Sequence, residues 1–248
     1  MANDPVCLME VDLRDAAAMT VNEGRAYYFC SEQCKQKFTS DPTVYINKVT
    51  AERLTIGVMG SADTSLNESL GLRAMELGST IARRGLILIT GACLGLPYDC
   101  ARGARKTKGM SVGISPALSL DEHIHHYKSP TDAYDVMIYT GSGLMGREVT
   151  NIRSSDIVII IGGRSGTLGE FAIAYDEGKL IGVLEGTGGI TDEIPQLVEL
   201  FDKGTGAVLI YESVPEQLIE TFLAEYTQCR FHHPSCFCER VPSIETVE

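Results

Sequence analysis

The chain has 248 residues, 44% hydrophobic and 7% aromatic side chains, no tryptophan and a formal net charge of −12. The length accommodates one domain of ordinary size with small additions, and the composition is that of a globular α/β protein. An acidic surface repels phosphate backbones, which argues against broad nucleic-acid binding. A small phosphorylated ligand can still be held by a local cluster of backbone N–H groups.

The first residues lack a basic region followed by an apolar stretch, and no apolar run approaches the length needed to span a bilayer. We therefore expect a cytoplasmic protein with neither a membrane nor a nucleic acid as partner. Its eight cysteines are then expected to be reduced, and clustered cysteines indicate metal or redox chemistry before disulfides.

Residues 1–46 differ in composition from the rest of the chain. They hold the cysteines Cys7, Cys30 and Cys34, and their aromatic residues include Tyr27, Tyr28, Phe29 and Phe38. Residues 25–29 predict a short strand, and Ser31 is placed to cap a helix over residues 32–38. Because a module of this size buries little core alone, we expect it to bind a metal or to dock.

This first segment resembles the YHS domain, through DPVCLMEV at residues 4–11 and YYFCSEQC at residues 27–34. The family is linked to heavy-metal handling, which implies Cys7, Cys30 and Cys34 as thiolate ligands of zinc or copper. Leu8 stands where the family usually has glycine. Three thiolates leave a tetrahedral site one ligand short, although copper(I) accepts three. The alternative is a stabilising or protein-docking module with buried free cysteines.

From residue 54 to residue 226, short aliphatic runs alternate with segments of helical length. The predicted strands are residues 54–59, 86–90, 110–114, 135–139, 157–161, 180–184 and 207–210. Runs that are apolar throughout predict a parallel sheet with helices on both faces. Ligands of such folds bind at the carboxyl ends of the strands, where Gly60, Ser61 and Gly91 fall.

A glycine-rich loop follows the predicted strand 157–161 and precedes a helix predicted from about residue 168. A loop of this kind directs free N–H groups and the positive end of a helix at one spot, and glycines let a phosphate approach the backbone. The predicted phosphate contacts are Gly162, Gly163, Gly166 and Thr167.

Two charged side chains accompany this loop. Glu170 falls in the first turn of the predicted helix, where it can lie beside a sugar or, alternatively, only cap the helix and complement its dipole. Arg147 lies near the start of the preceding helix, predicted to begin near Ser142. It can contact a phosphate or a ribose, or it can be a solvated surface arginine.

Together, TGACLGL at residues 90–96, Arg147, and GGRSGTLGE at residues 162–170 resemble the LOG family, over residues 54–225. The family implies a Rossmann-like homodimer. Its characterised enzymes are phosphoribohydrolases, which release a free base such as a cytokinin or adenine from a nucleoside 5′-monophosphate such as AMP, with no cofactor needed for catalysis. The family's catalytic arginine and glutamate match Arg147 and Glu170.

Two positions depart from the family pattern. Ile161 stands where the family has proline, and Glu148 stands where it has lysine. Both departures point towards a sister branch that includes molybdenum-cofactor carriers, which bind a phosphorylated ligand without cleaving it. A non-catalytic carrier or sensor is therefore the alternative to the enzyme.

Four further features of the sequence have simpler interpretations. GSGLMG at residues 141–146 fits a dinucleotide pattern but lacks the acidic ribose partner, so we assign it to the mononucleotide pocket. Residues 119–133 carry three histidines and form a lid or a polar surface loop. Cys93 and Cys100 are predicted core residues. The tail, residues 227–248, either binds metal or is metal-free, and its candidate ligands are Cys229, His232, His233, Cys236 and Cys238.

Overall fold

The structure is a computed structural model in which residues 2–7, 9–12, 15–22, 25–42, 45, 54–65 and 67–227 are described. The chain divides into two compact units, Met1–Arg53 and Leu54–Glu248. The five candidate ligands of the tail lie outside the described residues.

The described part of the first unit contains two antiparallel strand pairs and a helix. The strands are β1 (Ala2–Asn3), β2 (Glu10–Val11), β3 (Ala18–Asn22) and β4 (Arg25–Phe29), and the helix is α1 (Glu32–Ser40). The side chain of Ser31 accepts a hydrogen bond from the N–H of Cys34 at the start of α1, which confirms the predicted strand and capped helix. Phe38 packs in this small core, and the centroid of its ring lies 4.7 Å from that of Tyr27 and 5.3 Å from that of Phe29.

The second unit is built on a seven-stranded parallel sheet. Its strands are β5 (Thr55–Gly60), β6 (Ile87–Thr90), β7 (Met110–Ser115), β8 (Val136–Tyr139), β9 (Ile157–Ile161), β10 (Leu180–Leu184) and β11 (Val208–Glu212). The order across the sheet is β11-β10-β9-β5-β6-β7-β8, with every neighbouring pair parallel. The predicted Rossmann-like α/β fold is confirmed.

Within the described residues, six helices connect these strands and a seventh follows β11. They are α2 (Glu68–Arg83), α3 (Leu96–Lys106), α4 (Leu120–His125), α5 (Gly143–Arg153), α6 (Ser165–Asp176), α7 (Ile190–Phe201) and α8 (Pro215–Thr227). No helix within the described residues combines the length and the apolarity that crossing a bilayer requires.

The residues of β9 show why the helices lie on both faces of the sheet. Successive side chains of a strand point to opposite faces. Ile157, Ile159 and Ile161 pack with residues of α2, α3 and α8, whereas Val158 and Ile160 pack with residues of α5, α6 and α7. The whole strand is buried, so an uninterrupted apolar run is what this position requires.

The sheet has a topological switch point between β5 and β9. From β5 the chain builds outwards to β8, and then returns to β9 on the other side of β5. The two strands remain joined where they end, since the N–H of Ser61 donates to the carbonyl of Ile161 at 3.1 Å. Because the following loops turn to opposite faces, a crevice is expected at this point.

Helices α2 and α3 touch through two glycines. A Cβ on Gly78 would overlap the carbonyl oxygen of Cys100, and a Cβ on Gly103 would overlap that of Met75. This contact positions α3, whose first N–H, on Leu96, donates to the Ser61 carbonyl at 2.9 Å. The helix pair therefore supports the loop that follows β5.

We predict that Gly78→Ala lowers the free energy of unfolding. Alanine favours a helix over glycine by about 1 kcal/mol, but forced separation of the two helices should outweigh this gain and cost about 1–3 kcal/mol. Denaturant unfolding measures the change. Gly204→Ala is the matched control, because no atom lies within 4 Å of a Cβ built there. Stabilisation by Gly78→Ala would contradict the close packing.

Candidate functional site

A cavity of about 290 Å³ opens at the switch point, beyond the carboxyl ends of β5, β6 and β9. This volume is close to the lower end of the range for small-molecule sites, about 300 Å³. Seven of the predicted site residues line it, namely Gly60, Ser61, Gly91, Arg147, Gly166, Thr167 and Glu170. The fold thus brings residues from four separate segments to one place.

Arg147 is buried in this cavity, with 7% of its surface exposed. It lies in α5, which follows Ser142 as predicted. Its Nη1 donates to the carbonyl oxygen of Gly91 and contacts Cys93 Sγ at 3.8 Å. Its buried Nε has no hydrogen-bond partner among the described residues. The solvated-arginine alternative is therefore wrong.

Gly91 makes this placement of Arg147 possible. A Cβ on Gly91 would overlap the guanidinium. The absence of a side chain at Gly91 thus leaves space for the side chain of a distant helix, in addition to any contact with a ligand.

Glu170 lies opposite, in α6. This helix begins at Ser165, three residues earlier than predicted, because Gly166 and Thr167 are part of its first turn rather than of the preceding loop. Glu170 therefore lies in the second turn, and the prediction that it lies in the first turn is wrong. The N-cap position is occupied by Arg164, so Glu170 does not cap the helix.

The environment of Glu170 perturbs its acidity. The carboxyl group is 6% exposed and accepts a hydrogen bond from Asn151 Nδ2 at 3.4 Å. Burial is the main cause that raises its pKa to about 7; the positive charge of Arg147 opposes this shift and the Glu148 carboxylate adds to it. Glu170 therefore gains and loses its proton near neutral pH.

Glu148 is a cavity residue that was not among the predicted site residues. It is 6% exposed, and its carboxylate lies against α6, with Oε2 2.8 Å from a Cβ built on Gly169 and Oε1 3.6 Å from one built on Gly166. Burial raises its pKa, and Arg147 opposes the shift. The only sequence signal was its departure from the lysine of the LOG pattern.

The first two glycines of the loop have a structural role. The N–H of Gly162 donates to Thr187 Oγ1 at 2.9 Å, and the carbonyl of Gly163 accepts from the N–H of Ile190 at 2.9 Å. Both glycines have a positive φ, 58° and 98°, which favours glycine. The prediction of a free N–H on Gly162 is thus corrected. Ligand contacts of Gly60, Ser61, Gly91, Gly163, Gly166 and Thr167 stay predictions.

The structure also tests the predictions for two cysteines and for the histidine-bearing segment. Cys100 is buried, as predicted, but Cys93 lines the cavity, and its assignment to the core is wrong. The histidine-bearing segment includes a short helix, α4, in which His123 is buried and hydrogen-bonded to Ser115 Oγ at 2.8 Å. That histidine anchors the segment and is not part of a purely polar loop.

The three predicted metal ligands come together in the first unit. The Sγ atom of Cys30 lies 3.4 Å from that of Cys7 and 3.8 Å from that of Cys34. Asp4, which sequence reasoning missed, joins them, and the four ligand atoms lie within 4.8 Å of one another. The carboxylate of Asp4 also accepts hydrogen bonds from the N–H groups of Val6 and Cys30, both at 2.8 Å.

The Cys30 thiol holds its proton tightly when no cation is bound. The hydrogen bond to the Asp4 carboxylate, followed by that to Cys7, raises the pKa of Cys30 to about 12. A soft cation would displace such a proton, since thiolates are the metal-binding form. Four ligand atoms in one place also suit a tetrahedral ion.

Solved structures with the same fold cover about 70% of this chain. The molybdenum cofactor binding protein from the phototrophic bacterium Rippkaea orientalis is 32% identical, with a TM-score of 0.59 over 71% of this chain and 99% of that one. The molybdenum cofactor carrier protein from Chlamydomonas reinhardtii is 26% identical, with a TM-score of 0.58 over 71% and 99%. An uncharacterised protein of Archaeoglobus fulgidus is 33% identical over 132 residues, 53% of this chain and 80% of that protein.

Family comparison covers both units. Residues 53–219 match the model of the SLOG cluster4 family, which is LOG-like, and residues 2–49 match that of the YHS domain. Both resemblances noted in the sequence are thereby confirmed. The chain belongs to the SLOG cluster4 family and carries a YHS domain in its first 49 residues.

Proposed function

We propose that the cavity binds a nucleoside 5′-monophosphate and hydrolyses its N-glycosidic bond, releasing the free base and ribose 5-phosphate. The observation that carries this proposal is that Arg147 and Glu170, from two different helices, line one cavity while each is more than nine-tenths buried. Buried charged groups that face a cavity are costly unless a ligand or a reaction uses them.

Arg147 is assigned to binding. Its guanidinium is fixed by the Gly91 carbonyl, and its positive charge in the cavity lining favours a phosphate or the departing base. Interactions with the phosphate, which does not react, orient the sugar for cleavage.

Glu170 is assigned to catalysis. As the bond between C1′ and the base nitrogen breaks, positive charge develops on the sugar, and a carboxylate stabilises this charge. The same carboxylate accepts a proton from the attacking water. The water oxygen adds to C1′, and a proton passes to the base. The step needs ionised Glu170, so activity should rise as the pH increases through about 7.

We predict that Glu170→Gln lowers kcat on AMP by on the order of a hundredfold or more, because it removes a charge that acts in the transition state. Affinity for AMP should change little. Chromatography of released adenine gives the rate, and Glu199→Gln, an exposed glutamate, is the matched control. Adenine release by Glu170→Gln at the parental rate would refute the catalytic role.

We also predict that Glu170→Gln stabilises the protein at pH 8. Because the folded-state pKa of Glu170 is raised from 4.5 to about 7, folding favours its protonated form, and stability is lost as the pH rises between these values. The gain from glutamine should grow by up to about 3 kcal/mol between pH 5 and pH 8. Denaturant unfolding at both pH values measures it. A gain that does not depend on pH would contradict the buried charge.

A second candidate function is that of a non-catalytic carrier or sensor of a phosphorylated ligand. Two solved structures at 32% and 26% identity are named as a molybdenum cofactor binding protein and a molybdenum cofactor carrier. Ile161 and Glu148, which depart from the LOG pattern, support the same alternative. Its signature is a phosphorylated ligand that is bound in the cavity and recovered intact.

For the first unit we propose a site for zinc or copper formed by Cys7, Cys30 and Cys34, with Asp4 as the fourth ligand. Four candidate ligand atoms within 4.8 Å of one another support it. Copper(I) needs the three thiolates alone, whereas tetrahedral zinc uses Asp4 as well.

We predict about one metal ion per chain after reconstitution under reducing conditions. Elemental analysis should show this content falling in Cys30→Ser and Cys34→Ser. Cys93→Ser, which keeps the cluster intact, should bind as the parent does. Failure of the parent to retain any transition metal would refute the site. Asp4→Asn distinguishes the two ions, since it should lower the affinity for zinc more than the affinity for copper(I).

Location and assembly stay predictions. A cytoplasmic location was expected from the sequence, and a homodimer from the LOG resemblance. Sedimentation of the purified chain measures its assembly.

A further inference from the structure

The carboxylate of Glu148 occupies the side of α6 where the phosphate of a nucleotide was expected. Its Oε1 lies 3.6 Å from a Cβ built on Gly166, in the first turn of α6, and its Oε2 lies 2.8 Å from one built on Gly169. A side chain at residue 169 would displace the carboxylate. Gly169 thus makes room for Glu148, a residue of another helix, whereas a Cβ on Gly166 would meet that carboxylate at an ordinary contact distance.

The first turn of α6 also has the features of an anion site. No side chain among the described residues caps this helix end, so its first N–H groups are open to a ligand. Gly166 and Thr167 line the cavity beside the buried guanidinium of Arg147, whose Nε lacks a partner among the described residues. A ligand anion and the Glu148 carboxylate would therefore be close neighbours.

The charges that face Glu148 do not neutralise such an encounter. Arg147 is a cation next to it on α5, but the Glu170 carboxyl of α6 shares that cation. Arg164, at the start of α6, has an exposed side chain and pairs with Asp63 at 3.4 Å. A doubly charged phosphate would thus meet two carboxyl groups and one buried guanidinium.

We propose that Glu148 is a specificity-determining residue of this cavity, because a phosphate dianion can occupy the first turn of α6 only when Glu148 takes up a proton. This inference rests on the proposed nucleotide site and names a regulation of it. Like charges at short range in a poorly solvated site repel strongly. Binding of a nucleoside monophosphate should therefore be coupled to proton uptake. The lysine of the LOG pattern would favour the dianion at any pH.

Calorimetric titration of AMP into the full chain tests this coupling. Glu148→Gln keeps the shape and removes the charge, so at pH 8 it should bind AMP on the order of tenfold or more tightly than the parent. At pH 6 the difference between the two affinities should be smaller, because burial raises the pKa of Glu148 and more of it is protonated at pH 6 than at pH 8. Repeating each titration in two buffers of different ionisation enthalpy counts protons, and the parent should take up about one more than the variant at pH 8.

The controls isolate Glu148 from the other titrating groups. The AMP phosphate titrates alike in both proteins. Because the Glu148 carboxylate raises the pKa of Glu170, the comparison is repeated in the Glu170→Gln background, and the difference that remains there is assigned to Glu148. Glu199→Gln should match the parent. Sulfate, a dianion that does not titrate in this range, should show the same preference for the variant at pH 8.

The outcomes separate this inference from nucleotide hydrolysis. Equal affinities and equal proton uptake in parent and Glu148→Gln overturn the inference and leave hydrolysis standing. Proton-linked binding without release of base supports the inference and overturns hydrolysis. Absence of AMP binding by both the parent and Glu148→Gln at both pH values overturns both.

Discussion

The hydrogen bond from the buried guanidinium of Arg147 to the carbonyl of Gly91 is the interaction on which the cavity depends. It fixes the single buried cation of the cavity lining between the end of β6 and the carboxyl groups of Glu170 and Glu148. Arg147 opposes the rise in pKa of both carboxyl groups. Without it, two acids would share a poorly solvated space with no counter-charge, a costly arrangement.

The fold explains why these groups meet. Reversal of strand order between β5 and β9 opens a crevice into which α5 and α6 each direct a charged residue. The glycines of the motif have different roles, since Gly162 and Gly163 form the turn whereas Gly169 leaves space beside α6 for Glu148. A site of this kind lowers stability, because it holds ionisable groups away from water in order to use them.

Local sequence patterns predicted most of the fold. A strand buried on both faces is apolar at every position, so a run such as residues 157–161 can be recognised as a buried strand from the sequence. The start of α6 was misplaced because glycines suggest a loop, although Gly166 lies within the first helical turn. Glu148, Asp4 and Cys93 were missed or misassigned because their roles come from contacts between distant segments. Arg147 and Glu170 were found through a motif that encodes such contacts.

We propose that this cavity cleaves a nucleotide as well as binding one. The most direct measurement incubates the purified parent with a panel of nucleoside 5′-monophosphates and follows free base and ribose 5-phosphate by chromatography with mass detection. If the cavity hydrolyses nucleotides, at least one nucleotide should yield both products in equal amounts. Recovery of every bound nucleotide intact would contradict it and would favour the carrier.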